Sequence, residues 1–217
     1  MTSTPTLRFY FDYISTNAYI AWRALPALAA RTGVAIEPVP VLFAGLLAST
    51  GQLGPAEVPI KARWMWRNCL RKAAHLGIPL EQPRYHPFNP LLALRVSSLP
   101  MDADERRRVV TGLFDAVWVH RLHVSEPAVV AAIAGADRVA AAQAAAAKAR
   151  LRAQTDAAIA AGVFGVPAMA VGDEVFWGYD DFPYLEEQLT GGDPLPSIAD
   201  AGYARPAASA RRRQAPS

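Results

Sequence analysis

From Leu7 to Asp12 the chain runs through Arg8, Phe9, Tyr10 and Phe11, a short apolar and aromatic stretch that predicts a buried strand. From Asn17 the apolar positions Tyr19, Ile20, Trp22, Leu25 and Leu28 recur at helical intervals up to Gly33, which stands where a C-terminal cap belongs. Val34 to Val41 reads as a second strand. Pro38 and Pro40 cannot donate to a ladder, so they mark it as an edge strand or one that ends early. Strand, helix and strand in this order predict a βαβ unit with parallel strands and a right-handed crossover.

The pattern then changes. From about Phe43 to Ala161 no convincing alternation appears, but there are helical runs such as Lys61 to Leu76, Ala103 to Val119 and the alanine-rich Arg138 to Ala160. Strand-like runs return at Ala168 to Val171 and Glu174 to Trp177, joined by Gly172-Asp173 as a two-residue hairpin turn, and a last helix spans Phe182 to Leu189. The order βαβ, helices, ββα predicts an α/β fold with a thioredoxin-like core and a large all-helical domain inserted after the second strand. The core takes residues 1–42 and 162–191, the insertion 43–161, and residues 192–217 are expected to be a disordered tail.

Composition narrows the function classes. The 217 residues are 52% hydrophobic, and part of the formal charge of +3 comes from Arg211, Arg212 and Arg213 in the tail. No basic face interleaved with aromatics stands in the folded part, so no nucleic-acid partner is expected. Cys69 is the one cysteine, which excludes an intrachain disulfide, a CxxC centre and a multi-cysteine metal site. The expectation is a soluble cytoplasmic protein with no metal, since neither a leader pattern nor a membrane-length apolar run of about 18 residues occurs.

The candidate chemistry lies at the seams. Ser15 follows the first strand and opens the first helix, where a thioredoxin-like oxidoreductase carries its cysteine, so if a thiol is still required it must arrive on a ligand. Gly162-Val163-Phe164-Gly165-Val166-Pro167 precedes the returning strand, where that fold places a cis-proline facing the active residue. A cis bond there turns the backbone of Val166 toward an extended ligand. Plainer readings stand beside these: Ser15 and Asp180 as helix caps, and Pro167 as a trans proline starting a strand.

The stretches F-Y-F-D-Y-I-S, G-V-F-G-V-P and D-E-V-F-W-G-Y-D are similar to those of the 2-hydroxychromene-2-carboxylate isomerases, which group with the kappa-class glutathione transferases among DsbA-like proteins. Ser49-Thr50-Gly51, Gly54-Pro55-Ala56-Glu57, Gly77-Ile78-Pro79, His86-Pro87-Phe88-Asn89 and Trp118-Val119 follow in the family's order, so the resemblance covers about residues 6 to 191. It implies glutathione as cofactor. Ser15 matches the serine at the glutathione sulfur, Val166 beside Pro167 the residue whose backbone pairs with the cysteinyl part, and Trp177-Gly178-Tyr179-Asp180 the segment holding the γ-glutamyl end. A hydroxyl at a helix N-terminus favours thiolate over thiol, and the Asp180 carboxylate suits the ligand's ammonium group.

The chain departs from the family pattern at four places. Thr16 and Asp181 stand where the family has proline and arginine; Leu47-Ala48 lacks its lysine, and Glu57 replaces an asparagine. Glu57 is therefore unfavourable toward an anionic substrate unless Lys61 or Arg63 neutralises it. Tyr85 and His86 lie in the region of the family's substrate-contacting tyrosine, with Asn89 nearby, though His86 also reads as a turn residue beside Pro87. Trp64 and Trp66 are two apart, so at most one reaches a cleft. Cys69 reads as a small hydrophobe, with Arg67, Arg71 and Lys72 as the solvated face of its helix.

The implied activity is a glutathione-dependent isomerisation. Reversible thiolate addition lets a conjugated double bond of a small aromatic α-keto acid rotate, as part of aromatic catabolism, in a homodimeric enzyme. A kappa-like glutathione transferase and a non-catalytic thioredoxin-like binding module are the alternatives, whereas disulfide exchange is the least attractive reading, since Ser15 cannot form a mixed disulfide and no CxxC replaces it.

Overall fold

The computed structural model describes residues 5–195, and the predicted disorder of the tail falls largely outside them. Strand β1 (Thr6–Phe11), helix α1 (Thr16–Thr32) and strand β2 (Ala35–Pro40) form the opening unit. Helices α2 (Phe43–Thr50), α3 (Pro59–Leu76), α4 (Leu91–Ser98), α5 (Ala103–Trp118), α6 (Pro127–Ala134), α7 (Ala136–Ala141) and α8 (Ala145–Ala160) follow. Strands β3 (Ala168–Val171) and β4 (Glu174–Trp177) and helix α9 (Phe182–Thr190) complete the chain. The fold is thus α/β and thioredoxin-like, with the helices carried between β2 and β3. Among the described residues no helix is long and apolar enough to cross a membrane.

The sheet has the order β2-β1-β3-β4. β1 pairs with β2 in parallel, Phe9 opposite Pro38 and Phe11 opposite Pro40, and with β3 in antiparallel, Tyr10 opposite Ala168. β2 is an edge strand, the position where its two prolines remove no central ladder bond. In the β3–β4 hairpin Gly172 takes φ of 60°, the positive value required at the first central position of a type II′ turn.

Side chains of β1 alternate between two layers. Phe9 and Phe11 are fully buried on one face with residues of α1, α4 and α5, whereas Tyr10 faces Leu46, Ala158, Val166 and Ala168 on the other. The first face carries a column of rings: Phe9 and Phe11 lie 5.7 Å apart, Phe11 and Tyr13 5.2 Å, and Tyr13 and Phe114 4.8 Å. Burying each such ring contributes up to about 3 kcal/mol, so the end of β1 is a firm base for the turn that follows.

The alanine-rich run expected as one helix from Arg138 to Ala160 is broken between α7 and α8. Arg138 reaches Glu105 on α5 and the carbonyl of Pro100, while α8 packs against α2, α4 and β2. The chain changes direction between these two docking surfaces, a demand that helix propensity does not carry.

Candidate functional site

Ser15 has extended backbone (φ −92°, ψ 113°) and caps α1: its Oγ accepts from the Ala18 N–H at 3.2 Å. The same hydroxyl donates to the Val166 carbonyl at 3.4 Å, so the two seam segments, 151 positions apart, meet. The turn leading to Ser15 is held residue by residue. The Ser15 N–H donates to the Asp12 carbonyl, the Trp118 Nε1–H to the Tyr13 carbonyl at 3.0 Å, and the His86 Nε2–H to the Ile14 carbonyl at 2.9 Å. Tyr13 is further fixed by its hydroxyl, 2.6 Å from Ser97 Oγ in the core.

Beneath this turn lies Asp12, 1% exposed. Its two carboxyl oxygens accept from the Ile14 N–H at 3.1 Å and the Phe43 N–H at 3.0 Å, tying the Ser15 turn to the start of α2. Burial pushes its pKa from 3.8 up to about 7, against the lowering effect of those two backbone donors. The sequence signal for this residue is faint: an acidic position closing an apolar strand.

The Val166-Pro167 bond is cis. The Pro167 carbonyl accepts from the Gly178 N–H at 2.9 Å, which fastens the Trp177–Asp180 segment to the proline. Among the described residues the Val166 N–H has no hydrogen-bond partner. Gly178 adopts φ of 82° and ψ of 169°, a region open essentially to glycine. The indole of Trp177 lies over Gly165, where an added Cβ would come within 2.8 Å of Nε1, and its ring stands 5.4 Å from that of Phe164. Tyr179 packs its ring on Phe182 at 4.8 Å. The short 3-10 turn Tyr179–Asp181 leads into α9, and the Asp181 carboxylate accepts from the Trp177 N–H at 2.7 Å.

Asp180 is engaged from an unexpected direction. Lys72 is not on the solvated face of α3 with the exposed Arg67 and Arg71: its side chain is 14% exposed and its Nζ lies 2.6 Å from Asp180 Oδ2. The reason is spacing, since Lys72 follows Cys69 by three positions and shares its inward face. Cys69 is fully buried, 3.5 Å from Asn17 Oδ1, and burial pushes its thiol up to about 11. Asn17 also donates to Met65 Sδ, so α3 is docked beside the first turn of α1.

The remaining candidates are more dispersed. His86 reaches the Ser15 turn through Ile14, and its bond to Pro87 is cis. Tyr85 is exposed and edges onto His123 at 5.1 Å. Asn89 accepts from the Leu91 N–H at the start of α4, and Glu57 accepts from the Gly54 N–H at 2.6 Å across a 3-10 turn. Both therefore have local backbone partners, and Glu57 is held by that N–H rather than by Lys61 or Arg63. Trp66 packs against the core while Trp64 stays 59% exposed. A separate cavity of about 1010 Å³ lies against β2, α1 and α5, lined by Trp22, Pro26, Ile36 and Met101 and remote from Ser15.

Comparison with known proteins places this geometry in a family context. The DSBA-like thioredoxin domain matches residues 6–190. The 2-hydroxychromene-2-carboxylate isomerase of Sphingobium xenophagum is 31% identical over 194 residues, spanning 86% of this chain and 98% of its own. Glutathione S-transferase kappa 2 of Caenorhabditis elegans is 26% identical over 216 residues, 92% of each chain. A solved structure of 2-hydroxychromene-2-carboxylate isomerase superposes with a TM-score of 0.77 at 29% identity, covering 90% of this chain and all of that one.

Proposed function

The chain belongs to the DSBA-like thioredoxin family and, within it, to the 2-hydroxychromene-2-carboxylate isomerases; from that premise we propose that it is a glutathione-dependent isomerase acting on a small aromatic α-keto acid. The observation that carries the reading is the Ser15 hydroxyl at the N-terminus of α1, meeting Val166 beside the cis Pro167. Kinship with a kappa-class glutathione transferase supports the choice of thiol.

The residues present fit such a cofactor. Among the described residues the Val166 N–H is free to pair with an extended peptide, as in strand addition. Ser15 Oγ already accepts from Ala18 and has one proton to direct, so it can donate to a thiolate instead of the Val166 carbonyl. Both that bond and the positive end of the α1 dipole favour the charged sulfur. When bound there, glutathione would supply a thiolate for reversible addition to a conjugated carbon, the chemistry that lets a double bond rotate and re-form. Ser15 orients the sulfur and holds no transferred proton, and Asp180 fixes the γ-glutamyl end.

For the aromatic body of the substrate we take the boundary between the core, 1–42 with 162–191, and the helices of 43–161, with His86, Tyr85, Asn89 and Glu57 as the polar candidates. A cytoplasmic homodimer completes the reading; the single buried thiol fits a reducing compartment. Calorimetric titration is expected to give a glutathione complex, and the absorbance of a chromene carboxylate should change faster with the thiol present. No heat at millimolar glutathione would sink the proposal. A stable thioether product with an electrophile bearing a leaving group, without isomerisation, would move the chain to the transferases.

A further inference from the structure

We propose, resting on the glutathione reading above, that Lys72 and Asp180 form a paired-charge clamp for the zwitterionic end of a γ-glutamyl ligand, Asp180 taking its α-ammonium and Lys72 its α-carboxylate. Lys72 is then the specificity-determining residue that supplies the cation of this subsite.

The placement comes first. Asp180 closes the Trp177–Asp180 segment that Gly178 fastens to the cis-proline, and Lys72 reaches it from α3, which Asn17 docks onto the first turn of α1. Lys72 and Asp180 thus stand on the same side of α1 as Cys69, whose thiol feels the charge of both. Other charges nearby are already used. Asp181 accepts from the Trp177 N–H, and Arg31 forms a two-pronged pair with Glu186 at 2.6 and 2.7 Å. Asp181 adds negative charge where the family pattern has arginine, so recognition of an anionic ligand there needs a cation from elsewhere, and Lys72 is the one in contact.

The two partners differ in a way that suits exchange. The Lys72 side chain is 14% exposed and that of Asp180 74% exposed. An ammonium so covered is best placed beside carboxylates, because leaving a buried charge without a partner is costly. Its ammonium has three donors, and among the described residues Asp180 takes one, which leaves donors for a carboxylate. Lys72 engages only Oδ2 of the exposed Asp180, which leaves Oδ1 to accept from an incoming ammonium. A zwitterion completes an alternating set of four charges, whereas a ligand lacking either group leaves one member of the pair uncompensated.

The test is calorimetric binding of three thiols to the full chain: glutathione, 4-aminobutanoyl-cysteinylglycine, which lacks the α-carboxylate, and glutaryl-cysteinylglycine, which lacks the α-ammonium. Wild type is expected to prefer glutathione over the 4-aminobutanoyl compound by about 10- to 100-fold, the size of one charge-assisted hydrogen bond. Lys72→Met should abolish that preference and Lys72→Arg restore most of it, while both still discriminate against the glutaryl compound. Equal weakening of all three thiols by Lys72→Met, or unchanged glutathione affinity, overturns the clamp. Should Lys72→Met not fold, wild type binding glutathione and the 4-aminobutanoyl compound within twofold overturns it as well. Absence of glutathione binding by wild type is a different result, since it removes the isomerase reading and the clamp with it.

Discussion

The buried carboxyl beneath the Ser15 turn makes the stability of the whole protein depend on pH. Asp12 is 1% exposed, and its pKa rises from 3.8 to about 7 because burial outweighs the two backbone N–H groups that face it. In the unfolded chain it ionises near 3.8; in the fold it keeps its proton to about 7. The contribution is therefore full below pH 3.8, falls as pH rises toward 7, and levels off above that value. At about 1.4 kcal/mol per pH unit the loss amounts to about 4 kcal/mol between pH 4 and 8. Asp12→Asn removes the titration. Its amide also turns an NH2 group toward the Ile14 or Phe43 N–H, a pH-independent cost of about 1–3 kcal/mol. Urea unfolding from pH 4 to 8 should show wild type losing stability relative to the variant as pH rises. Parallel curves for the two proteins would refute the reasoning, as would a 13C-detected Asp12 carboxyl midpoint below pH 5.

Gly165→Ala should lift the Trp177 indole off the backbone, since its Cβ lies 2.8 Å from Nε1, and shift the Trp177 indole N–H resonance in a 15N correlation spectrum; an unshifted resonance would place the indole elsewhere. Cys69, with its thiol pushed from 9.0 to about 11 by burial, should react with iodoacetamide at neutral pH about 100-fold more slowly than an exposed cysteine, and reaction at the exposed rate would contradict its environment. Phe11→Ala should cost about 3–5 kcal/mol in chemical unfolding, because the ring is fully buried between Phe9, Tyr13 and Phe114; a loss under 1 kcal/mol would mean the column collapses around the void.

Local signals carried much of the architecture. The apolar run of β1, the helical recurrence from Tyr19 to Leu28, the cap at Gly33 and the glycine turn between β3 and β4 each act over a few residues, and each appears where its pattern indicated. What stayed hidden depends on partners far away in sequence. Whether Lys72 is solvated is decided by the 3-10 turn that brings Asp180 onto it from 108 positions away. The break at residues 142–144 is decided by surfaces on α5 and α2, not by alanine propensity. Glu57 and Asn89 were legible by residue type, but their short-range backbone bonds at 2.6 and 3.0 Å were not.

The same distinction settles how much the missing proline at Thr16 matters for the site. A proline at the first helical position stabilises chiefly by restricting the unfolded chain, an effect of about 0.4–1 kcal/mol. The position of Ser15 in the fold rests instead on bonds from separate elements: Trp118 of α5 to Tyr13, His86 to Ile14, Asp12 to Ile14 and to the first residue of α2, and Ala18 to the serine itself. At about 0.5–1.5 kcal/mol each, these together exceed the proline term several-fold. They also act where proline cannot, on the carbonyls, N–H groups and hydroxyl around the turn rather than on one φ angle. Substitution at residue 16 thus costs global stability while leaving the hydroxyl in place, and the inserted helices, through α2 and α5, become the elements that hold the Ser15 turn of the core.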